Sequence, residues 1–127
     1  MHKRILVIDD EEAVRKSFVL ALEDADCSVE TAESGYKGIK KVRNAKHDLI
    51  FLDLKMPGMN GVETLIEIRK IDKEVPVYIV TAFHKEFFDQ LKSAEEMGTK
   101  FELARKPLSA DQIVLITKGI LEWPQAV

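Results

Sequence analysis

The sequence predicts an α/β fold in which five parallel strands form a doubly wound sheet with helices on both faces. Short, almost wholly apolar segments rich in Ile, Val and Leu occupy residues 5–8, 49–52 and 77–80. Such segments are typical of central strands that are covered on both faces. Amphipathic helical patterns separate them, and strand and helix alternate along the chain. This alternation favours right-handed crossovers that place helices on both sides of one sheet.

Sequence patterns also predict the remaining strands and the helix boundaries. Residues 28–32 and 101–104 alternate apolar and polar side chains, which predicts half-exposed strands at or near the sheet edges. Residues with capping chemistry stand where helices are expected to begin or end. They are Asn60 with Glu63, Ser109 with Gln112, Ser34 and Gly98.

Composition limits the class of protein. The 127 residues, 46% of them hydrophobic, can bury one core but not two, so we expect a single domain over residues 1–127. A net charge of −3 gives no broad cationic field, so we expect no direct binding of nucleic acid by this segment. The single cysteine, Cys27, cannot form an internal disulfide, and no apolar run reaches the roughly 18 residues of a membrane span. A cytoplasmic protein that does not contact the membrane is therefore expected.

Polar residues with complementary chemistry follow the predicted strands. Asp9 and Asp10 follow the first strand, Asp53 the third, Thr81 the fourth and Lys106 the fifth. The carboxyl ends of parallel strands meet at one edge of the sheet, where open α/β folds build their ligand sites. The sequence therefore predicts one acidic pocket.

Each of these residues also has an ordinary interpretation. Asp9 and Asp10 could begin a solvated helix, or could bind Mg²⁺, which accepts one or two protein carboxylates. Asp53 could satisfy backbone groups of the turn that follows it, or could act as a nucleophile that forms an acyl phosphate. Thr81 and Lys106 could be a strand end and a surface lysine, or could supply a hydroxyl donor and a fixed positive charge to a phosphoryl group. A cis bond before Pro107 would aim the lysine inward.

These motifs resemble those of the receiver domain of two-component response regulators. The resemblance covers roughly residues 4–121 and rests on ILVIDDE at 5–11, DLIFLDLKMPGMNGVE at 48–63, PVYIVTA at 76–82 and the Lys106–Pro107 pair. It implies a flavodoxin-like fold with strand order 2-1-3-4-5. It also implies a signalling switch that accepts a phosphoryl group from a sensor histidine kinase or a phosphotransfer protein.

The resemblance assigns a role to each matching position. Asp53 corresponds to the phosphoacceptor, Asp10 to a direct Mg²⁺ ligand and Asp9 to a ligand that acts through water. Asp53 and the backbone carbonyl of Lys55 complete the protein's share of the metal site. Thr81 corresponds to the switch hydroxyl.

The resemblance also implies how the signal leaves the site. Lys106 corresponds to the cation that contacts the phosphoryl group. Phosphorylation is expected to change the surface formed by the fourth helix, fifth strand and fifth helix, which controls a downstream partner. Phe88 and Leu115 lie off the main apolar stripes there and could form a target patch or a phosphorylation-linked dimer contact.

The chain departs from the family pattern near that surface. Many members carry Tyr or Phe three residues before the lysine, where this chain has Leu103, and Phe101 could replace it only if the strand register slips. We therefore expect Thr81 movement to be coupled to aliphatic packing. Lys55 and Phe83, two residues after Asp53 and Thr81, present no carboxylate or amide to orient water, which predicts a long-lived phosphoryl group.

The sequence leaves two rival functions. A pseudo-receiver would keep the fold as a phosphorylation-independent interaction module. An aspartyl-phosphate phosphatase would need a second Asp as proton donor two residues after the first, where this chain has Lys55. We therefore expect no enzyme beyond a domain that catalyses its own phosphorylation and dephosphorylation. His47 comes with no ligand cluster and is expected to be a surface residue.

Overall fold

The computed structural model describes residues 2–82 and 85–121. Within these ranges strands and helices alternate. They are β1 (Lys3–Ile8), α1 (Glu12–Ala21), β2 (Cys27–Ala32), α2 (Gly35–Asn44), β3 (Leu49–Leu52), α3 (Gly61–Ile71), β4 (Val77–Thr81), α4 (Phe88–Glu96), β5 (Glu102–Arg105) and α5 (Ala110–Leu121).

The strands form one parallel sheet in the order β2-β1-β3-β4-β5. This order confirms the predicted fold and places β2 and β5 at the edges. The apolar segments became the three central strands because both of their faces are covered by helices. Every residue of β3 is buried, whereas β5 is largely exposed.

The side chains of the sheet divide between two hydrophobic layers because alternate strand residues point to opposite faces. Leu6 and Ile8 of β1 pack in the layer that includes residues of α2, α3 and α4. Ile5 and Val7 pack in the other layer, with residues of α1 and α5. The strand ends are thus held between two packed layers, which fixes the positions of the residues that follow them.

The predicted capping residues are confirmed. Asn60 and Glu63 exchange two side-chain to backbone hydrogen bonds of 2.9 Å at the start of α3, and Ser109 and Gln112 exchange bonds of 2.8 and 3.1 Å before α5. Ser34 accepts a hydrogen bond from the backbone N–H of Lys37 at the start of α2. Gly98 follows α4 with a φ of 85°, the left-handed conformation that favours glycine.

Removal of a cap should destabilise the fold measurably. The Asn60→Ala variant loses the side-chain acceptor that satisfies the Glu63 N–H, and we expect its free energy of unfolding to fall by about 1 kcal/mol. Urea unfolding checks this, with Ser17→Ala in the exposed part of α1 as the control. An unchanged midpoint in the Asn60 variant would contradict the contribution assigned to this cap.

The structure corrects one expectation about the surface and bears out another. His47 is buried rather than exposed. Its Nε2 lies 3.0 Å from Oε1 of Glu30 on β2, and this contact compensates the burial of that ring nitrogen. Phe88 and Leu115 are exposed, with 58% and 73% of their surfaces accessible.

Among the described residues, no helix combines the length and the apolar character needed to cross a membrane.

Candidate functional site

The carboxyl edge of the sheet brings the predicted acidic residues together. Asp9 and Asp10 follow β1, and Asp53 follows β3. One carboxylate oxygen from each of the three lies within 4.8 Å of the others. Asp9 and Asp53 are buried while Asp10 is exposed. The cluster is therefore open to solvent on the side of Asp10.

Asp9 is held by both its backbone and its side chain. Its N–H donates to the carbonyl of Ala32 at 3.0 Å, and its Oδ1 accepts from the N–H of Glu11 at 2.9 Å. Arg15 of α1 donates from Nη1 to the Asp9 carbonyl at 2.9 Å. Burial raises the pKa of the Asp9 carboxyl, although its hydrogen bond to Lys106 opposes the increase. The orientation of this carboxylate is thus fixed from several elements.

Asp53 is the most deeply perturbed acid of the group. Its Oδ1 accepts a 2.9 Å hydrogen bond from the N–H of Leu54, and only 4% of the residue is accessible. Burial, followed by the negative charge of Asp9, raises the pKa of the Asp53 carboxyl to about 6. Such a carboxylate lacks part of the solvation it would have in water, and a cation placed beside it would be bound favourably.

Lys106 supplies the positive charge of the pocket. Its Nζ lies 2.8 Å from Oδ2 of Asp9, 3.5 Å from Oδ2 of Asp53 and 3.7 Å from Oε1 of Glu11. Burial alone would lower the pKa of this ammonium, but the hydrogen bond to Asp9 and the charges of Asp53 and Asp9 raise it. Lys106 therefore stays protonated and acts as a counter-ion to the buried carboxylates.

The end of β5 is joined to the end of β4 beside this ammonium. The Lys106–Pro107 peptide bond is cis, and the N–H of Lys106 donates to the carbonyl of Thr81 at 3.1 Å. Thr81 is fully buried as the last residue of β4. Because Leu52 pairs with Ile79, Thr81 lies at the same sheet edge as Asp53.

The loop between β3 and α3 forms one wall of the pocket. The cavity at the strand ends is lined by Asp10, Glu11, Asp53, Lys55, Met56 and Pro57. Gly61 begins α3 so close to the end of β3 that a Cβ atom there would lie 2.2 Å from the Asp53 carbonyl oxygen. Glycine at this position therefore allows α3 to approach the strand that carries Asp53.

Sequence reasoning missed two contacts of the site. Arg15 fixes the Asp9 carbonyl, and Glu86 forms a 3.4 Å ion pair with Lys55 between two different loops. Arg15 follows Asp9 by six residues, which could have suggested a contact from the first turns of α1. Glu86 gave no such signal, because its partner lies on a loop that only the fold brings near.

The structure gives the register of β5 and the positions of its apolar side chains. Leu103 pairs with Ile79 and is 41% accessible, and Phe101 packs against the same layer as α4. Both line a groove with Phe88 and Leu91. Phe101 thus lies on the α4 side of the sheet in the observed register, because it precedes Leu103 by two residues and alternate residues of a strand share a face. Phe83, which the sequence analysis relates to the lifetime of the phosphoryl group, lies outside the described residues.

The site's geometry agrees with comparisons to known proteins. The family model of the response regulator receiver domain matches residues 5–118. The chain is 36% identical over 118 residues to the transcriptional regulatory protein ResD of Bacillus subtilis, covering 93% of this chain and 48% of ResD. It is 30% identical over 113 residues to sporulation initiation phosphotransferase F of the same organism, covering 89% of each.

A solved structure gives the same result for the fold. The CheY-like receiver domain protein of Methanospirillum hungatei JF-1 matches with a TM-score of 0.86 and 26% identity, covering 96% of this chain and 95% of that one. The chain spans about half the length of ResD and of the regulatory protein PhoP of Bacillus subtilis. The chain belongs to the family of response regulator receiver domains, the phosphorylation-controlled switches of two-component systems.

Proposed function

We propose that Asp53 accepts a phosphoryl group from the phosphohistidine of a sensor histidine kinase or a phosphotransfer protein, in a reaction that requires Mg²⁺. The observation that carries this proposal is the position of the Asp53 carboxylate. It is buried at the strand ends with Lys106 3.5 Å away and two further carboxylates beside it. A nucleophile, a fixed cation and a set of metal-ligating oxygens therefore share one pocket.

The oxygen donors fit a hard divalent cation. Asp10 would bind it directly, Asp9 through water, and Asp53 and the backbone carbonyl of Lys55 would complete the protein's share. When bound, Mg²⁺ neutralises charge on the phosphoryl oxygens. Burial raises the pKa values of Asp9 and Asp53, and the charge of Asp9 adds to the increase at Asp53. This supports the assignment, because a cation beside the carboxylates would favour their ionised forms.

The chain's own residues account for the rest of the transfer. Above its pKa of about 6, Asp53 is ionised, and one of its oxygens attacks the phosphorus in line with the bond to the donor histidine. The new O–P bond forms as the P–N bond breaks, and the bonding pair returns to the imidazole nitrogen. Lys106 stabilises the charge of the transferring group, and the Thr81 hydroxyl donates a hydrogen bond to it.

The chain acts on itself rather than on a separate substrate. We propose that it catalyses only its own phosphorylation and dephosphorylation, and that the modified form alters the surface of α4, β5 and α5. The exposed Phe88 and Leu115 support a contact with a downstream protein or a second copy at that surface. A phosphorylation-independent pseudo-receiver is the alternative.

One experiment separates these functions. The protein and an Asp53→Asn variant are incubated with Mg²⁺ and a small acyl phosphate, and the intact mass and the phosphate released are followed. We expect an adduct that forms only with Mg²⁺ and is lost in the variant. No adduct with any donor would support the pseudo-receiver, and rapid turnover of a phosphoester would support an enzyme.

The phosphoryl group should be lost slowly once formed. Lys55, two residues after Asp53, offers no carboxylate or amide that could orient an attacking water. We therefore expect the wild-type adduct to decay more slowly than that of a Lys55→Asn variant, which introduces an amide at this position. The decay of intact mass after removal of the donor measures both rates. Fast Mg²⁺-dependent loss from the wild type, equal to that of the variant, would contradict the prediction.

A further inference from the structure

An ion pair joins the phosphoryl pocket to the beginning of α4. The Nζ of Lys55 lies 3.4 Å from Oε2 of Glu86, and their side chains are 52% and 51% accessible. Lys55 belongs to the loop after β3, and Glu86 belongs to the turn at residues 85–87 that leads into α4. An exposed pair of this kind adds little to stability. Its position between two loops of the site points to a role other than stability.

The lysine of the pair lines the cavity that contains the proposed site of modification. Lys55 lines the same cavity as Asp53 and Asp10, and its ammonium is carried on a flexible four-carbon chain. A phosphoryl group on Asp53 would carry about −1.5 to −2 charges at neutral pH, more than the single negative charge of the carboxylate it replaces or of Glu86. The new group would therefore compete with Glu86 for the same ammonium.

The glutamate end is attached to the core beneath α4. Glu86 precedes Phe87, which is buried in the same layer as Leu91 and Ala94. The N–H of Leu91 donates to the Phe87 carbonyl at 2.9 Å. A displacement of Glu86 would therefore move a core side chain and the first turn of α4.

The first turn of α4 lacks the side-chain cap that α2 and α3 have. Phe87 stands at its N-cap and provides no side-chain hydrogen bond, whereas Ser34 caps α2 and Asn60 caps α3. A helix start without a cap leaves backbone N–H groups to solvent. Such a segment opens at a low free-energy cost, so even a modest contact such as the Lys55–Glu86 pair can shift its equilibrium.

We propose that Lys55 and Glu86 form a charge-controlled latch. In the unphosphorylated protein Lys55 holds the start of α4 through Glu86, and on phosphorylation of Asp53 it exchanges Glu86 for the phosphoryl group. The turn at 85–87 is then released, and the change reaches Phe87 and α4 without an aromatic residue at the position of Leu103. This inference rests on the proposed phosphorylation of Asp53 and describes how that modification is transmitted.

Hydrogen exchange measured by mass spectrometry tests the latch in the intact protein. Without a phosphodonor, the Glu86→Gln variant should exchange the backbone amides of residues 85–91 about two- to five-fold faster than wild type, the range expected for loss of an exposed ion pair. The Glu96→Gln variant, changed at the exposed end of α4, is the matched control and should exchange like wild type. The double variant Lys55→Glu with Glu86→Lys should restore slow exchange, which a purely structural role of either side chain would not allow.

Exchange is then repeated with Mg²⁺ and a small acyl phosphate, with the adduct on Asp53 followed by intact mass in the same samples. Wild type should move to the faster exchange of the unmodified Glu86→Gln variant, and modification should add little to the exchange of that variant. Equal exchange of wild type and Glu86→Gln in the unmodified state, or unchanged exchange of wild type after the adduct has formed, would overturn the latch alone. Absence of the adduct from wild type would overturn the proposed function, and the latch with it.

Discussion

Replacement of Asp53 by Asn is expected to abolish the phosphoryl adduct and, at the same time, to stabilise the metal-free protein. The pKa of the Asp53 carboxyl is about 6 in the folded protein and has an ordinary value of 3.8. This difference corresponds to about 3 kcal/mol of folding free energy lost at pH 7, where the buried carboxylate is ionised. Asparagine has a similar shape and carries no charge, so it removes the unfavourable ionisation. We expect the free energy of unfolding to rise by up to about 3 kcal/mol.

The pH dependence of this difference has a definite sign. Because the pKa of Asp53 is raised in the folded state, the folded protein binds the proton more tightly than the unfolded chain. The contribution of Asp53 to the stability of the fold is therefore most favourable below pH 3.8. It is lost as the pH rises through about 6. The variant lacks this titration. The difference in unfolding free energy between variant and wild type should thus be small near pH 4 and reach its full size by pH 7.

Urea unfolding in the presence of a chelator, at pH values from 4 to 7, measures this difference. Comparison of variant and wild type cancels the contributions of acids that lie far from Asp53 and titrate in the same range. The exposed Asp24 provides a matched control, since its change to Asn should alter stability by less than about 0.5 kcal/mol at any of these pH values. A variant no more stable than wild type at pH 7 would show that the buried carboxylate is not a destabilising charge.

Local sequence patterns were sufficient to predict most of the fold. The run at 5–8 predicts a central strand because a parallel strand covered by helices on both faces needs apolar side chains at every position. Asn60 and Glu63 predict the start of α3 because both hydrogen bonds of a capping box form within four residues. In such cases the residues that interact are close in the chain, so the local sequence is sufficient to predict the structure they form.

Contacts between distant residues limited the prediction. His47 was expected at the surface, and it is buried because Glu30, seventeen residues earlier, lies beside it in the folded sheet. The Lys55–Glu86 pair joins two loops, and no local spacing relates its members. The position of Phe101 on the α4 side of the sheet depended on the register of β5. These features depend on tertiary structure, which becomes visible only when the strands are placed side by side.

The candidate site lies between these two cases. Its residues could be predicted together because the fold rule brings the ends of parallel strands to one edge, and the structure places Asp9, Asp10 and Asp53 within a few ångströms of one another. The electrostatic balance could not be predicted. Lys106 lies closer to Asp9 than to Asp53, at 2.8 Å against 3.5 Å, and this asymmetry leads to a prediction of its own.

Replacement of Lys106 by Met should slow formation of the adduct and strengthen the binding of Mg²⁺. The ammonium neutralises part of the negative charge of Asp9, Asp53 and Glu11, so in the metal-free protein it competes with a divalent cation for the same oxygens. Methionine fills a similar volume without charge. The negative charge of the carboxylates is then less neutralised in the variant, so it attracts a cation more strongly. We expect Mg²⁺ to bind about ten-fold more tightly, which corresponds to about 1.4 kcal/mol.

The effect on phosphorylation should be opposite and larger. A positive charge positioned to stabilise a transferring phosphoryl group acts mainly in the transition state, and removal of one such group costs about 10²- to 10³-fold in rate. Adduct formation from a small acyl phosphate at saturating Mg²⁺ measures this effect, and calorimetric titration measures the metal affinity. Lys46→Met, at a lysine side chain that is 91% accessible, should change neither quantity. If Mg²⁺ bound more weakly to the Lys106 variant, the ammonium would have to support the metal site instead of competing with it. If the rate of adduct formation stayed within a few-fold of wild type, Lys106 would not be the cation that stabilises the transfer.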